Sequence, residues 1–482
     1  MMLPLGLYLL GLIVIVITHW TYKWKNPRCN GRLPPGSMGL PLIGESFQFI
    51  TPSNSIDIPH FVKSRIHKYG RIFKTSLVGR AMVVSSDVEF NHFILQQEGR
   101  LVELWYLDSF AKLLGHEKGS KKEGSTNSHG HIHRYLRSLV LSQFGHDVLK
   151  HTLLSQLQDI SIKSLHTWLA APQPLEIKHA FSVMIFDATA KQMFGYEPKE
   201  HEENLGVNFT NFLQGLMSFP LNIPGTAFHR CVQNQKKAMK MIKKMITERK
   251  ASPEKRRGDL LDQVLDDMKK EAFLTHDFVT VVMFGLLLAS FETISSTLTL
   301  AIILLTDHPS VVQQLEEENE EILEKRGSSK ETRLTWKEYK SMTFTHQVIN
   351  EVLRMASVAP GIIRKVIKDI HVNGYTIPEG WTIMVVPSAI QLNPDTYEDP
   401  LTFNPWRWKD VGAISTAKNF IPFGGGSRAC AGAEFSRVLM AVFLHVFVTN
   451  YRWNKVKGGE VARSPVLGFG NGYFIKLFEK LK

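Results

Sequence analysis

A glycine-rich loop that leads into a cysteine constrains this chain more than any other segment. Residues 423–432 read Phe-Gly-Gly-Gly-Ser-Arg-Ala-Cys-Ala-Gly. Three successive glycines allow a tight turn and a close approach of the backbone to a flat ligand. Peptide N–H groups of this loop, the cation of Arg428 and the N-terminus of a helix expected over 433–449 would each stabilise a thiolate at Cys430. The alternative is a structural cysteine buried behind a glycine loop.

The spacing Phe-x-x-Gly-x-x-x-Cys-x-Gly resembles the haem-binding signature of the cytochrome P450 monooxygenases. Phe423, Gly426, Cys430 and Gly432 stand at its fixed positions. The resemblance implies a mainly α fold with a minor β region, and haem b bound by Phe423, Gly424 and Gly432, with the Cys430 thiolate as axial ligand of the iron. It also implies a reaction that uses O2, two electrons and two protons to convert a C–H bond into an alcohol and water.

Two further motifs follow in the family's order. Glu-Val-Leu-Arg at 351–354 and Phe-Asn-Pro-Trp-Arg at 403–407 resemble its Glu-x-x-Arg motif and its later aromatic-proline motif. Taken alone, Glu351 and Arg354 would most often be a solvated helix pair worth roughly 0.2–0.5 kcal/mol. The resemblance implies instead that Glu351, Arg354 and Arg407 form a buried structural cluster that takes no part in catalysis.

A long apolar segment lies in the middle of the chain. Residues 278–306 contain a single formal charge, Glu292. A carboxylate at the centre of a membrane span would cost roughly 2.5–3.5 kcal/mol, so we expect a helix buried in the domain, with a second membrane span as the alternative. Ala-Ser-Phe-Glu-Thr at 289–293 resembles the family's oxygen-activating motif, although Ser290 replaces the usual glycine. Thr293 would donate a proton and Glu292 would relay it. The alternative is a back-bonded threonine beside a glutamate paired with a basic residue.

Local patterns predict several elements around these motifs. Strands are expected at 72–77 and 81–84, at 370–372 and 375–377, and at 381–386. Asn-Gly at 373–374 is a strong signal for a tight hairpin turn. The acid-rich stretch 311–326 has a helical period.

The resemblance also implies cations for the haem propionates and an apolar substrate pocket. The cations are Arg364, Arg428 and Arg137, together with His133 at a position where the family usually has tryptophan; any one of the arginines could be a plain surface residue. The pocket side chains, for which ordinary core is the alternative, are Leu104, Trp105, Leu216, Phe284, Leu288, Ala289, Val358, Ile362, Ile363, Leu467 and Phe469.

The N-terminal segment predicts a membrane anchor. Residues 1–22 carry no formal charge. A helix over this stretch would be just long enough to span roughly 30 Å of hydrocarbon. Bulky aromatic residues follow it, which disfavours the alternative of a cleaved signal peptide. Four basic residues precede the first acid, Glu45, so the positive-inside rule places the rest in the cytosol. We expect a single-pass anchor over 1–22, a basic proline-rich hinge over 23–45 and a catalytic domain over 46–482, at the endoplasmic reticulum.

The charge of the chain bears on its partners. Lys and Arg number 57 against 45 Asp and Glu, a net charge of +12. Such a balance fits nucleic acid, an anionic membrane or an acidic protein. Behind a membrane anchor and a haem loop, it favours the lipid bilayer and an acidic electron donor, NADPH–cytochrome reductase, and not nucleic acid. Arg134 and Lys121–Lys122 are candidate docking positions.

The substrate class rests on a finer resemblance. Segments at 73–75, 291–293, 339–343 and 403–408 look most like plant P450s that oxidise sterols, brassinosteroids and triterpenoids. The implied reaction is hydroxylation of a sterol or triterpenoid, which successive oxidations could extend to sterol side-chain cleavage. Two alternatives stay open: an isomerase or lyase of the same fold that acts on a peroxide without reductase, and a non-catalytic haem protein that binds lipid.

Overall fold

The computed structural model describes residues 2–105, 130–200, 204–216, 218, 221–326, 333–409 and 418–480. Helices cover most of this length. They are α1 (Met2–Lys25), α2 (Ser46–Ile50), α3 (His60–Tyr69), α4 (Val88–Gln96), α5 (His131–Phe144), α6 (His146–Val148), α7 (Leu154–Ala170), α8 (Ile177–Phe194), α9 (Leu205–Leu216), α10 (Ala227–Ala251), α11 (Leu260–Asp267), α12 (His276–Asp307), α13 (Pro309–Arg326), α14 (Trp336–Ser341), α15 (Thr343–Ala356), α16 (Pro387–Gln391) and α17 (Ala433–Asn450).

The strands form small sheets. They are β1 (Ile72–Leu77), β2 (Arg80–Ser85), β3 (Val102–Leu104), β4 (Leu175–Glu176), β5 (Ile362–Val366), β6 (Ile370–Val372), β7 (Tyr375–Ile377), β8 (Thr382–Val385), β9 (Tyr451–Gly458), β10 (Ala462–Arg463), β11 (Leu467–Gly468) and β12 (Tyr473–Glu479). The largest sheet has the order β1-β2-β8-β5-β3, and only the β2–β8 pair in it is parallel. Both predicted hairpins are confirmed, and the second turns at Asn373 and Gly374 with positive φ at each.

The central apolar segment is the helix α12, as predicted. Thr275 caps the N-terminus of α12, because its hydroxyl accepts from the Phe278 N–H at 3.2 Å. The helix ends at Asp307, shortly before Pro309, which starts α13. Most of its side chains are buried in the main hydrophobic core, against α8, α10 and α15. This burial accounts for the apolar character of the segment within a folded domain.

Within the described part of the chain, three helices are long and apolar enough to cross a membrane: Leu7–Lys25 within α1, α12 and α17. Helix α17 is packed inside the core, like α12. The apolar side chains of α1 from Leu7 to Ile17 are exposed instead. At the C-terminal end of α1, the Trp24 indole N–H donates to the Met38 carbonyl at 3.2 Å.

An exposed apolar patch lies directly after that contact. We call Leu40, Leu42, Ile43, Phe47, Ile50 and Val78 the hairpin-tip patch, because residues 40–50 pack on the tip of the β1–β2 hairpin. The Val78 N–H donates to the Ser46 hydroxyl at 2.7 Å, and Gly44 bridges to Leu77. Leu42 is 68% exposed and Val78 61% exposed. Both adopt positive φ, 67° and 51°, which is a strained conformation for such side chains.

Candidate active site

The glycine-rich loop folds so that Cys430 lies at the start of α17. The Cys430 N–H donates to the Phe423 carbonyl at 2.9 Å, and Gly432 directly precedes the helix. Gly426 has a φ of 67°, and a Cβ there would lie 2.0 Å from the Leu95 carbonyl oxygen. Because only glycine avoids this clash, residue 426 lets the loop pack on the end of α4.

A cavity of about 490 Å³ opens beside the loop, within the roughly 300–1,000 Å³ typical of ligand pockets. The Cys430 side chain is exposed and borders it. The loop, α5, β5 and α12 all contribute to its wall. The predicted site residues that line it are Leu104, His133, Arg137, Ile362, Arg364, Phe423, Gly424, Arg428 and Cys430.

Three arginines hold fixed positions in this wall. Arg137 on α5 donates to the Ala429 carbonyl at 2.7 Å, next to Cys430. Arg364 on β5 and Arg428 in the loop both pair with the carboxylate of Glu98, at 3.0 and 2.9 Å. Among the described residues that line the cavity, Cys430 carries the only thiol, and these arginines give the wall around it a cationic side.

The structure brings Glu351, Arg354 and Arg407 together in a buried cluster. Arg354 donates to both Glu351 oxygens at 2.8 Å, and Arg407 donates to Oε1 at 3.0 Å. The Trp408 indole donates to Oε2 at 2.9 Å. Glu351 and Arg354 are fully buried, so each charge is matched by the geometry that a buried ion pair requires.

Gln391 connects this cluster to the segment that leads into the loop. Arg354 donates to the Gln391 carbonyl at 2.9 Å. The Gln391 side-chain amide donates to the Arg354 carbonyl at 3.0 Å, and its oxygen accepts from the Ile421 N–H at 3.0 Å. Ile421 lines the cavity. The ion cluster is therefore linked to the cavity wall through two successive hydrogen bonds of the Gln391 side chain.

Glu292 and Thr293 have the contacts of the structural alternative. The Thr293 hydroxyl donates to the Ala289 carbonyl at 3.1 Å, and Lys178 on α8 donates to both Glu292 oxygens at 2.8 and 3.0 Å. Neither residue is sealed off, because Thr293 is exposed and the two partners of the ion pair are each 30% exposed. Ser290 donates to the Leu287 carbonyl at 2.8 Å, and α12 stays α-helical through it.

Comparison with models of protein families shows which family has this arrangement of residues. A model of the family described as cytochrome P450 matches residues 34–470. The chain belongs to the cytochrome P450 family. It is therefore a monooxygenase, an oxidoreductase that uses O2, and the predicted fold class is confirmed.

Two curated relatives with high identity to this P450 come from plants. Beta-amyrin 16-alpha-hydroxylase from Maesa lanceolata is 46% identical over 99% of this chain and 99% of that protein. Cucurbitadienol 11-hydroxylase from Siraitia grosvenorii is 45% identical, with 97% and 98% covered. Among solved structures, retinoic acid-bound cyanobacterial CYP120A1 matches with a TM-score of 0.81 and 26% identity over 94% of this chain and 100% of that one. The predicted likeness to plant triterpenoid and steroid oxidases is confirmed.

Membership of the P450s implies a haem-thiolate cofactor, and the cavity fits one. Although the Cys430 side chain borders the open cavity, the protein around it desolvates the sulfur and raises the pKa of the thiol, while the Gly432 N–H and the charge of Arg137 act in the opposite direction. A metal cation at the sulfur would supply the positive charge that a thiolate needs there. The guanidinium groups in the wall would match the carboxylates of a haem.

The predicted substrate pocket is only partly found at this cavity. Leu104 and Ile362 line it, and Ala289 is exposed on α12. Phe284, Leu467 and Phe469 are buried in the main core, where the rings of Phe284 and Phe209 lie 4.7 Å apart. The remaining side chains are half-buried: Trp105, Leu216, Leu288, Val358 and Ile363.

Two charged residues of the site were missed from the sequence. Glu98 pairs with two arginines more than 260 positions away, and Lys178 is 114 positions from Glu292. Neither lies in a motif, so no spacing signal marks it. Candidate cations can be counted from a sequence, but the fold alone decides which carboxylate they meet.

Proposed function

We propose that this P450 hydroxylates a triterpenoid or a sterol. The exposed thiol of Cys430 at a cavity with apolar and cationic walls carries the proposal. Relatives of 45–46% identity act, by name, on beta-amyrin and cucurbitadienol, and a cholesterol 22-hydroxylase from Paris polyphylla is 35% identical. These names share rigid, polycyclic, largely apolar substrates, which suit an apolar pocket.

Cys430 would hold the iron of haem b as axial thiolate. When bound, the haem supplies O2 activation, with the thiolate favouring O–O cleavage. Gly424 and Gly432 would leave room for a flat ring beside the loop, and Phe423, which lines the cavity, would help to hold it. Arg364, Arg428, Arg137 and His133 would bind its propionates.

The protons would enter along α8 and α12. Lys178 and Glu292 are each 30% exposed and bonded to each other, so this pair is in contact with solvent. Thr293 follows Glu292 in the helix, and its hydroxyl is exposed. Rotation of that hydroxyl away from the Ala289 carbonyl would free the proton on Thr293 Oγ1 for donation to the reaction.

The chain would work from a membrane with an acidic partner. Residues 1–22 would be the anchor and 23–45 the hinge, with the domain over 46–482 on the cytosolic side of the endoplasmic reticulum. The net charge of +12 favours NADPH–cytochrome reductase as electron donor. Arg134 lies on α5, and Lys121–Lys122 lie outside the described residues.

The proposal is tested by expressing the full chain with a plant reductase in sterol-producing yeast. Beta-amyrin, cucurbitadienol and cholesterol would be fed and the extracts analysed by mass spectrometry. We expect an NADPH-dependent product heavier by one oxygen atom. Shortened sterols would reveal successive oxidations that cleave the side chain.

Two cysteine variants make this test specific. Cys430→Ala should abolish both the product and the carbonyl difference band of thiolate-ligated haem. Cys231→Ala removes a thiol that is fully buried in the main core, so it should keep both. Normal turnover by Cys430→Ala would contradict the proposal. A product formed from a peroxide without NADPH would favour the isomerase or lyase.

A further inference from the structure

Glu98 lies between two arginines in the wall of the cavity. Its Oε2 is 3.0 Å from Arg364 Nε, and its Oε1 is 2.9 Å from Arg428 Nε. The Glu98 side chain is 4% exposed, that of Arg364 2% and that of Arg428 8%. Oε1 also accepts from the Leu104 N–H at 2.9 Å. The three charged groups therefore form one buried unit.

This unit joins three separate elements at the loop. Glu98 follows the C-terminal end of α4, Arg364 belongs to β5, and Arg428 stands two residues before Cys430. The close packing of Gly426 on Leu95 holds the end of α4 against the loop. Both this packing and the ion pairs therefore hold Glu98 next to the glycine-rich loop that contains Cys430.

The charges in this unit do not cancel. Among the described residues, two guanidinium groups pair with this one carboxylate, so these three side chains together carry one net positive charge beside the cavity. Without the carboxylate, two like charges would share a poorly solvated wall, where electrostatic interactions are much stronger than in water. Glu98 therefore both holds the two arginines and halves the positive charge at this side.

We propose that Glu98 is a positioning residue that sets the reduction potential of iron held at Cys430, by acting through Arg428 and Arg364. The inference rests on the proposed function, since it takes the haem to be bound at Cys430. Adding one electron to ferric iron gives ferrous iron and lowers the local positive charge by one. A carboxylate in the wall disfavours that step, and a guanidinium favours it.

The test is a redox titration of the full-length haem protein in detergent. Glu98→Gln removes a negative charge and should raise the midpoint potential. Arg428→Gln removes a positive charge and should lower it. The double variant, which is neutral at both positions, should return close to the original value. Glu98→Asp keeps the charge and should also stay close to it.

Glu103→Gln is the matched control. Glu103 pairs with Lys365 at 3.2 Å on the neighbouring strands, but these side chains are far more exposed than the Glu98 unit, at 28% and 43%. The midpoint potential of the Glu103→Gln variant should therefore not move. If Glu98→Gln alone does not fold, the double variant should still have a higher midpoint potential than Arg428→Gln, and this comparison isolates the effect of Glu98. Shifts of the same sign in all variants, or an unmoved potential in Glu98→Gln, would overturn it.

The carbonyl difference band separates this inference from the proposed function. The original protein should show the band of thiolate-ligated haem. Its absence would overturn both proposals. A normal band together with unmoved potentials would overturn only the role of Glu98.

Discussion

Thr293 is exposed in the middle of a helix in which residues 294–297 are all buried. Its hydroxyl donates only to a backbone carbonyl of its own helix, among the hydrogen bonds that the structure describes. Such a bond adds little to helix stability. The side chain is therefore available for another task at small structural cost.

We predict that Thr293→Ala keeps the haem band but uncouples the enzyme. Without the hydroxyl, a proton donor is lost from the site, so more of the NADPH consumed should appear as hydrogen peroxide and less as product. Peroxide and product would be measured against NADPH consumption.

Thr297→Ala is the control for this prediction. Thr297 stands one turn further along α12, donates to the Thr293 carbonyl at 2.8 Å and is buried. Coupling should stay normal in this variant. Equal uncoupling in both would assign the effect to the helix and not to the hydroxyl of Thr293.

At the scale of elements, a buried polar node joins α13, α15 and α17 behind the loop. His445 Nδ1 lies 2.8 Å from Asn319 Oδ1, and the Asn319 amide donates to the Thr345 hydroxyl at 3.2 Å. All three side chains are buried. Burial, with a smaller contribution from Arg326, lowers the pKa of His445 to about 4.

We predict that this histidine destabilises the fold in acid. In the unfolded chain an imidazole binds a proton near pH 6.5, whereas folded His445 does so only near pH 4. Between these values the unfolded state binds more protons, so the free energy of unfolding falls as the pH decreases, by about 3 kcal/mol in all. Urea unfolding in detergent at several pH values would measure this loss.

His445→Gln should flatten that part of the pH profile, because glutamine does not titrate. His67→Gln changes an exposed histidine on α3 and should leave the profile unchanged. An unaltered profile in His445→Gln would show that other groups cause the acid sensitivity.

Most of these elements were predictable, and the node was not. The glycine-cysteine loop, both hairpins and α12 follow from spacing and periodicity over short stretches. The partners of His445, Glu98 and Glu292 come from distant segments, and the sequence marks them as ordinary polar residues. Pocket side chains such as Phe284 were equally ambiguous, because an apolar residue has the same pattern in a core and in a pocket.

At the scale of the whole molecule, two exposed apolar features lie close together. The first is α1, and the second is the hairpin-tip patch, which begins two residues after Met38, the hydrogen-bond partner of Trp24. The backbone strain at Leu42 and Val78 and their exposure are both unfavourable in water. Burial of these side chains in lipid would offset that cost.

We predict that the hairpin-tip patch enters the bilayer. Nitroxide labels at Leu42→Cys and Val78→Cys would be introduced after Cys29→Ser and Cys231→Ala, with the haem protein in lipid nanodiscs. Dissolved oxygen, which concentrates in lipid, should relax these labels more than a water-soluble nickel chelate does.

A label at Leu323→Cys is the matched control, because this exposed leucine lies on the acid-rich helix α13. The nickel chelate should relax it more strongly than oxygen does. Equal access of the chelate to Val78 and Leu323 would show that the patch stays in water.

The hydrogen bond from Trp24 to Met38 fixes where α1 leaves the folded body. With α1 in the bilayer, as proposed, and the hairpin-tip patch resting on it, the body would be held at two points and could not roll over. Any redox protein that diffuses in the same membrane would always meet it from the same side. The two proteins would then search for each other only within the plane of the membrane, and they would have to find only one mutual orientation.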